Sequence, residues 1–144
     1  MTPTVIDASV PVKWCLPSPD EDLVLQAGEL LESYRTGEEL FLVPDLFWLE
    51  VANALWKAVW KQKIDSEMAA RSFRLVSDLQ IPTISSFDLV PRALRLAVEH
   101  HRTVYDSVYV ALALRAKANL ITADERLANA LAAHLPVKWL GAAF

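Results

Sequence analysis

A chain of 144 residues, 53% hydrophobic and 22% charged, excludes a disordered polymer. It suffices for one domain over residues 1–144 that buries roughly two-thirds of its unfolded surface, with apolar side chains left over for a partner. A net charge of −4 and a pI near 5.3 exclude a protein that coats nucleic acid through its phosphates, but not one that reaches phosphate through a metal ion.

The strand signal Thr4-Val5-Ile6 leads into Asp7-Ala8-Ser9 and a helical stretch with Pro11 near its start, where proline is tolerated. After an acidic turn over residues 17–22, Leu23, Ala27, Leu30 and Leu31 recur at helical spacing up to Gly37. Phe41-Leu42-Val43 reads as a buried strand ended by Pro44. Helices are predicted over residues 46–62 and 66–79, a short strand about Ile84, and further helices over 90–101 and 105–118. Leu120-Ile121-Thr122 reads as a strand, 124–134 as a helix and 137–140 as the last strand. Strands alternate with helices, and each connection is too long for a hairpin. The pattern predicts an α/β fold, a parallel sheet covered by helices on both faces.

Composition removes several chemistries. Three glycines (Gly28, Gly37 and Gly141) cannot assemble a P-loop or a dinucleotide-binding turn. One cysteine, Cys15, excludes a disulfide framework and a Cys-rich zinc site, and reads as a small buried hydrophobe in a reducing compartment. His100, His101 and His134 lack metal-ligand spacing and read as helix-end or surface residues. No leader pattern opens the chain and no apolar run nears the roughly 20 residues of a membrane span, so a cytoplasmic protein without membrane contact is expected.

In parallel sheets, functional groups gather at the carboxyl ends of strands and the amino ends of the helices that follow. Asp7 ends the first strand, Asp124 follows Leu120-Ile121-Thr122, and Asp106 opens the helix that starts near Tyr105. Each also has a structural reading. Thr103-Val104-Tyr105-Asp106 and Thr122-Ala123-Asp124-Glu125 have capping-box form, with Glu125 taking the capping role in the second and leaving Asp124 free, and Asp7 can cap the helix after it. Glu50 fits a structural role least well. Its helix is apolar nearly all round, and Glu50, Asn53, Lys57 and Lys61 form its single polar stripe. Leu49, Trp56 and Trp60 point away from Val51, Leu55 and Ala58 and are assigned to a groove for a partner helix. Lys13, Lys57, Lys61 and Arg92 are the basic candidates for contacting the phosphates of a nucleic acid.

Four carboxylates in one cleft repel one another and require a counter-ion. Hard cations such as Mg²⁺ or Mn²⁺ choose oxygen ligands, hold a phosphodiester and activate a water against it. This chemistry is phosphodiester hydrolysis. A receiver or a haloacid-dehalogenase-like phosphatase also uses a strand-end Asp. The phosphatase, however, needs a second Asp two residues on, where Ser9 stands, and a receiver needs adjacent N-terminal acids. A non-catalytic module of the same fold is the remaining alternative.

The run Val5-Ile6-Asp7-Ala8-Ser9-Val10-Pro11-Val12-Lys13-Trp14 resembles the opening of PIN-domain ribonucleases, and most of all VapC-type toxins of toxin–antitoxin pairs. Pro44-Asp45-Leu46-Phe47-Trp48-Leu49-Glu50, Tyr105-Asp106-Ser107-Val108-Tyr109 and Leu120-Ile121-Thr122-Ala123-Asp124 are similar to the later family elements, in order. The resemblance implies a three-layer α/β/α sandwich around about five parallel strands, Rossmann-like in plan. It further implies a Mg²⁺- or Mn²⁺-dependent endoribonuclease whose acids are Asp7, Glu50, Asp106 and Asp124, with Ser9 and Thr122 as supporting hydroxyls. A further acid found in some relatives is replaced here by Glu125 and Arg126. A homodimer neutralised by a cognate antitoxin is implied as well.

Overall fold

The computed structural model describes residues 1–17 and 21–142, so residues 18–20 of the acidic turn expected over 17–22 lie outside the described residues. The described residues form five strands: β1 (Thr4–Ile6), β2 (Phe41–Pro44), β3 (Thr83–Ile84), β4 (Asn119–Thr122) and β5 (Val137–Trp139). All pairings are parallel, in the order β3-β2-β1-β4-β5. The central strands β1 and β4 pair Val5 with Leu120 and Ile6 with Ile121, and all four side chains are buried. Strands covered on both faces need apolar residues without alternation, and these have them.

Among the described residues seven α-helices connect the strands: α1 (Ser9–Cys15), α2 (Val24–Arg35), α3 (Leu46–Trp60), α4 (Ser66–Ser77), α5 (Val90–His100), α6 (Val104–Ala116) and α7 (Glu125–Leu131). Helix α1 packs on α2 and α3, α3 on α4, and α5 on α6, while α7 lies against β4 and β5. Right-handed crossovers build two helical layers of this kind around a parallel sheet. Helix α6 is the most enclosed, buried continuously from Ser107 to Ala113 and packed on β1, β2 and β4. A helix apolar around its circumference belongs in the centre of a fold. Predicted and observed elements agree in number and order. The largest shift is α7, which ends at Leu131 instead of near residue 134.

Helix ends follow local chemistry. Asp65 caps α4 by accepting from the Met68 amide at 2.7 Å, and Pro91 sits in the first turn of α5. Four turns next to helix C-termini place a residue other than glycine in the left-handed region: Gln62, Gln80, His101 and Lys117, with φ between 53° and 61°. After α3, Lys63 N–H reaches Ala58 O at 2.9 Å, and after α6, Ala118 N–H reaches Ala113 O at 2.8 Å. These are the closures glycine usually makes. No described helix is long and apolar enough to cross a membrane.

The sheet's centre and its rim differ in what they contribute. Leu120 on β4 is fully buried, so Leu120→Ala is expected to cost about 3 kcal/mol in urea unfolding. Leu25, 80% exposed on α2, is expected to change stability by under about 0.5 kcal/mol when replaced by alanine.

Candidate functional site

The strand order reverses at β1, since β2 and β3 lie to one side and β4 and β5 to the other. Loops leaving the carboxyl ends of β1 and β4 therefore diverge and open a crevice. A cavity of about 410 Å³ occupies this position, and its wall includes Asp7, Glu50, Asp106 and Asp124 together with Asn53 and Lys57. The four acids singled out in the sequence thus line one space.

Their environments differ in a graded way. Asp7 is buried, Glu50 and Asp106 are half-buried, and Asp124 is exposed. Asp7 Oδ1 accepts from the Ser9 amide at 3.1 Å and from the Ser9 hydroxyl. Ser9 Oγ in turn accepts from the Ala123 amide at 2.8 Å and lies 3.3 Å from Thr122 Oγ1, tying the β1 loop to the β4 loop. Burial pushes the Asp7 carboxyl up to about 6. The hydrogen bonds from Ser9 and Thr122 work against this rise, and the charge on Glu50 adds to it.

Glu50 and Asp106 come from α3 and α6. Glu50 Oε1 accepts from the Tyr109 hydroxyl at 2.6 Å. Burial raises the Glu50 carboxyl above its usual range, the Tyr109 bond opposes that rise, and the charge on Asp106 reinforces it. Asp106 sits in the first turn of α6, where its amide donates to Thr103 Oγ1 at 3.0 Å, so the Thr103 half of the expected capping box is present. The Asp106 carboxylate turns instead to Arg102, whose Nη2 lies 3.3 Å from Oδ2.

Asp124 corrects one expectation. Asp124 itself, not Glu125, caps α7: Oδ1 accepts from the Arg126 amide at 3.0 Å and the Leu127 amide at 3.2 Å. Its own amide donates to Thr122 Oγ1 at 3.1 Å. The carboxylate is therefore held by the helix terminus, with Oδ2 the oxygen left for other partners.

The basic candidates separate. Lys57 lines the cavity, and Lys61 lies one turn further along α3. Lys13 is folded into ion pairs with Glu21 at 2.6 Å and Asp22 at 2.7 Å. Arg92 lines a different depression, with Arg95, Glu99, His100 and His134. No histidine borders the acidic cavity. Leu49, Trp56 and Trp60 are 72%, 58% and 71% exposed, and the two indole rings stack at 6.4 Å beside a shallow groove between α3 and α4. Cys15 is only partly buried, and burial raises its thiol to about 11.

Tyr109 and Arg102 are the neighbours that sequence reasoning missed. Tyr109 is three residues beyond Asp106 on one helix and so shares its face, a spacing that was available in the sequence. Arg102 precedes the helix, and nothing in the sequence set it apart from other surface arginines.

Donor chemistry decides which cation the cavity suits. Its charged donors are carboxylate oxygens, which match Mg²⁺ or Mn²⁺. Among the described residues no three His, Cys, Asp or Glu side chains stand close enough together to hold a metal ion between them. Mg²⁺ accepts that arrangement, because it commonly binds one or two carboxylates and keeps several waters.

The sequence profile of the PIN domain matches residues 4–131. Ribonuclease VapC3 of Pyrobaculum aerophilum is 34% identical over 89 residues, a stretch covering 59% of this chain and 66% of that protein, just under two thirds of its length. PAE2754 from Pyrobaculum aerophilum superposes with a TM-score of 0.67 at 24% identity, covering 90% of this chain and 79% of that one. VapC20 of Mycobacterium tuberculosis, a Sarcin-Ricin loop cleaving toxin, gives a TM-score of 0.65 at 13% identity, covering 92% and 95%. At these identities the two structures speak for the fold.

Two stability measurements follow from the site. Between pH 4 and 6 the folded chain holds a proton on Asp7 that the unfolded chain, with a carboxyl near 3.8, has released. Stability from this group is therefore present at low pH and lost as pH rises through about 6, by up to about 3 kcal/mol. Asp7→Asn keeps the acceptor for Ser9, so in EDTA it is expected to melt above the wild type at pH 8, with the difference gone by pH 4. Asp124→Ala is expected to cost about 1 kcal/mol in denaturant titration through the lost cap, with most of it restored in Asp124→Asn.

Proposed function

Because the chain belongs to the PIN domain family, we propose that the acidic cavity is the active site of a divalent-cation-dependent endoribonuclease, acting as the toxin of a toxin–antitoxin pair. The observation that carries this reading is the lining of one crevice by Asp7, Glu50, Asp106 and Asp124, drawn from four separate segments of the chain. Asp7, Glu50, Asp106 and Asp124 would hold Mg²⁺ or Mn²⁺, one or two of them directly and the others through waters the ion keeps. A divalent ion there supplies charge neutralisation at a phosphodiester and a lowered pKa for an attacking water.

The protein's own groups do the rest. Ser9 and Thr122 orient Asp7 and fix the two loops on which Asp7 and Asp124 stand. Asp7, whose carboxyl burial pushes up to about 6, is the acid whose ionised form would gain most from a neighbouring positive charge. Lys57, on the cavity wall, and Lys61 beyond it offer positive charge to the phosphates of an RNA strand entering over α3. Lys13 is taken up by its ion pairs with Glu21 and Asp22, and Arg92 borders a different depression, so neither supplies this charge. A phosphotransfer site fits less well, since the position two residues after Asp7 carries Ser9, which is hydrogen-bonded to Asp7.

The groove beside Trp56 and Trp60 supports docking of the antitoxin, and the remaining exposed apolar side chains support a homodimer in the cytoplasm. The name of the similar Ribonuclease VapC3 agrees with the nuclease reading.

Asp106→Asn is expected to reduce RNA cleavage by roughly 100-fold or more, because even groups behind metal ligands are worth 10–100-fold. Its fold should remain intact by circular dichroism. Cleavage by this variant that matches the wild type and is still stopped by EDTA overturns the assignment. Mn²⁺ at about 100 times its dissociation constant is expected to raise the melting temperature of the wild type by about 5–10 °C. An unchanged melt at millimolar Mn²⁺ favours the inert module.

A further inference from the structure

Glu50 is reached from α3 by a long side chain with three rotatable bonds, half-buried, facing the negative charge of Asp106. Nothing in that position keeps a carboxylate still unless a donor does so, and a free glutamate gives up rotamer entropy on being ordered. The structure supplies one donor. Tyr109, 2% exposed in the second turn of α6, directs its hydroxyl at Glu50 Oε1 at 2.6 Å. No other protein donor reaches Glu50 among the described residues, whereas Asp7 has Ser9, Asp124 has two amides of α7 and Asp106 has Arg102.

We propose that Tyr109 is a positioning residue for cation binding: its buried hydroxyl fixes the Glu50 carboxylate toward the cavity and joins α3 to α6 at that point. This inference rests on the cation-binding reading of the cavity and assigns a residue that acts through Glu50. The phenol suits the task because it is rigid, enclosed on α6 and uncharged, so it organises a carboxylate without neutralising it. An arginine or lysine in the same place would occupy the site with its own charge and compete with a divalent ion. Among the described residues the buried hydroxyl has one acceptor, Glu50, so each group needs the other.

The test is direct measurement of Mn²⁺ binding by the paramagnetic resonance signal of the free ion, which requires no turnover. Tyr109→Phe keeps the ring and removes only the hydroxyl. Its Mn²⁺ dissociation constant is expected to rise about 10-fold or more, as for other groups that orient a metal ligand. Tyr34→Phe serves as the control, since the Tyr34 hydroxyl is bonded to Leu79 O at 3.0 Å and does not border the cavity. That variant should bind Mn²⁺ like the wild type. Glu50→Gln tests the route: adding Tyr109→Phe to it should weaken binding by less than about twofold further.

Wild-type affinity in Tyr109→Phe overturns the inference while leaving the cavity's role in place. Fully additive losses in the double variant also overturn it, because Tyr109 would then act independently of Glu50. Absence of Mn²⁺ binding by the wild type overturns the reading of the cavity, and the inference with it.

Discussion

One buried carboxylate governs the top of this sheet. Asp7 stands at the end of the most central strand, where solvent is largely excluded, and an anion there is stabilised only by the groups that surround it. Ser9, Thr122 and the amide of Ala123 form a small network between the β1 and β4 loops, and that network exists because Asp7 needs partners. Its donors are neutral. They reduce the penalty of burial without removing it, and the carboxyl stays near 6. Glu50 and Asp106 add negative charge in place of relieving it. Positive charge reaches this group of acids through Arg102, which pairs with Asp106, while Asp7 and Glu50 are met by neutral donors.

The topology explains why acids separated by more than a hundred positions share one wall. Strand order 3-2-1-4-5 places the first and fourth strands side by side, so Asp7 and Asp124 become neighbours. Helix α3 leaves β2 on one side of this point, and α6 precedes β4, with its amino end at the same edge of the sheet. Glu50 and Asp106 follow from that geometry. Burial then ranks the four, from enclosed Asp7 through half-buried Glu50 and Asp106 to exposed Asp124.

Much of this was legible in the sequence, for identifiable reasons. The alternation of short apolar runs with helical spacing fixes strand and helix order, because buried parallel strands and amphipathic helices have different periods. The acids could be picked out by their place after strands and at helix starts. The polar stripe on α3 was equally visible, and Glu50, Asn53 and Lys57 from it do face the cavity. What could not be read were choices between near-equal local partners. Asp124 and Glu125 could each cap α7, and only the approach of the β4 loop selects Asp124. Lys13 looked free until the chain beyond α1 brought Glu21 and Asp22 back to it. Tyr109 was hidden among the apolar residues of a buried helix, since a phenol at a core position carries no sign that its oxygen has a distant acceptor.

The left-handed joints at Gln62, Gln80, His101 and Lys117 have a practical meaning. A side chain with a Cβ in that region carries a conformational cost of about 1–2 kcal/mol, which glycine avoids. The chain has three glycines, and at Gly141 a Cβ would meet the Trp139 ring at 2.5 Å, so that one serves packing and not a helix end. Glycine at the turns after α3, α4 and α6 would relieve that cost, so these peripheral joints are places where the protein could be stabilised for crystallisation. The turn at His101 stands apart, because the next residue, Arg102, is the one that grips Asp106.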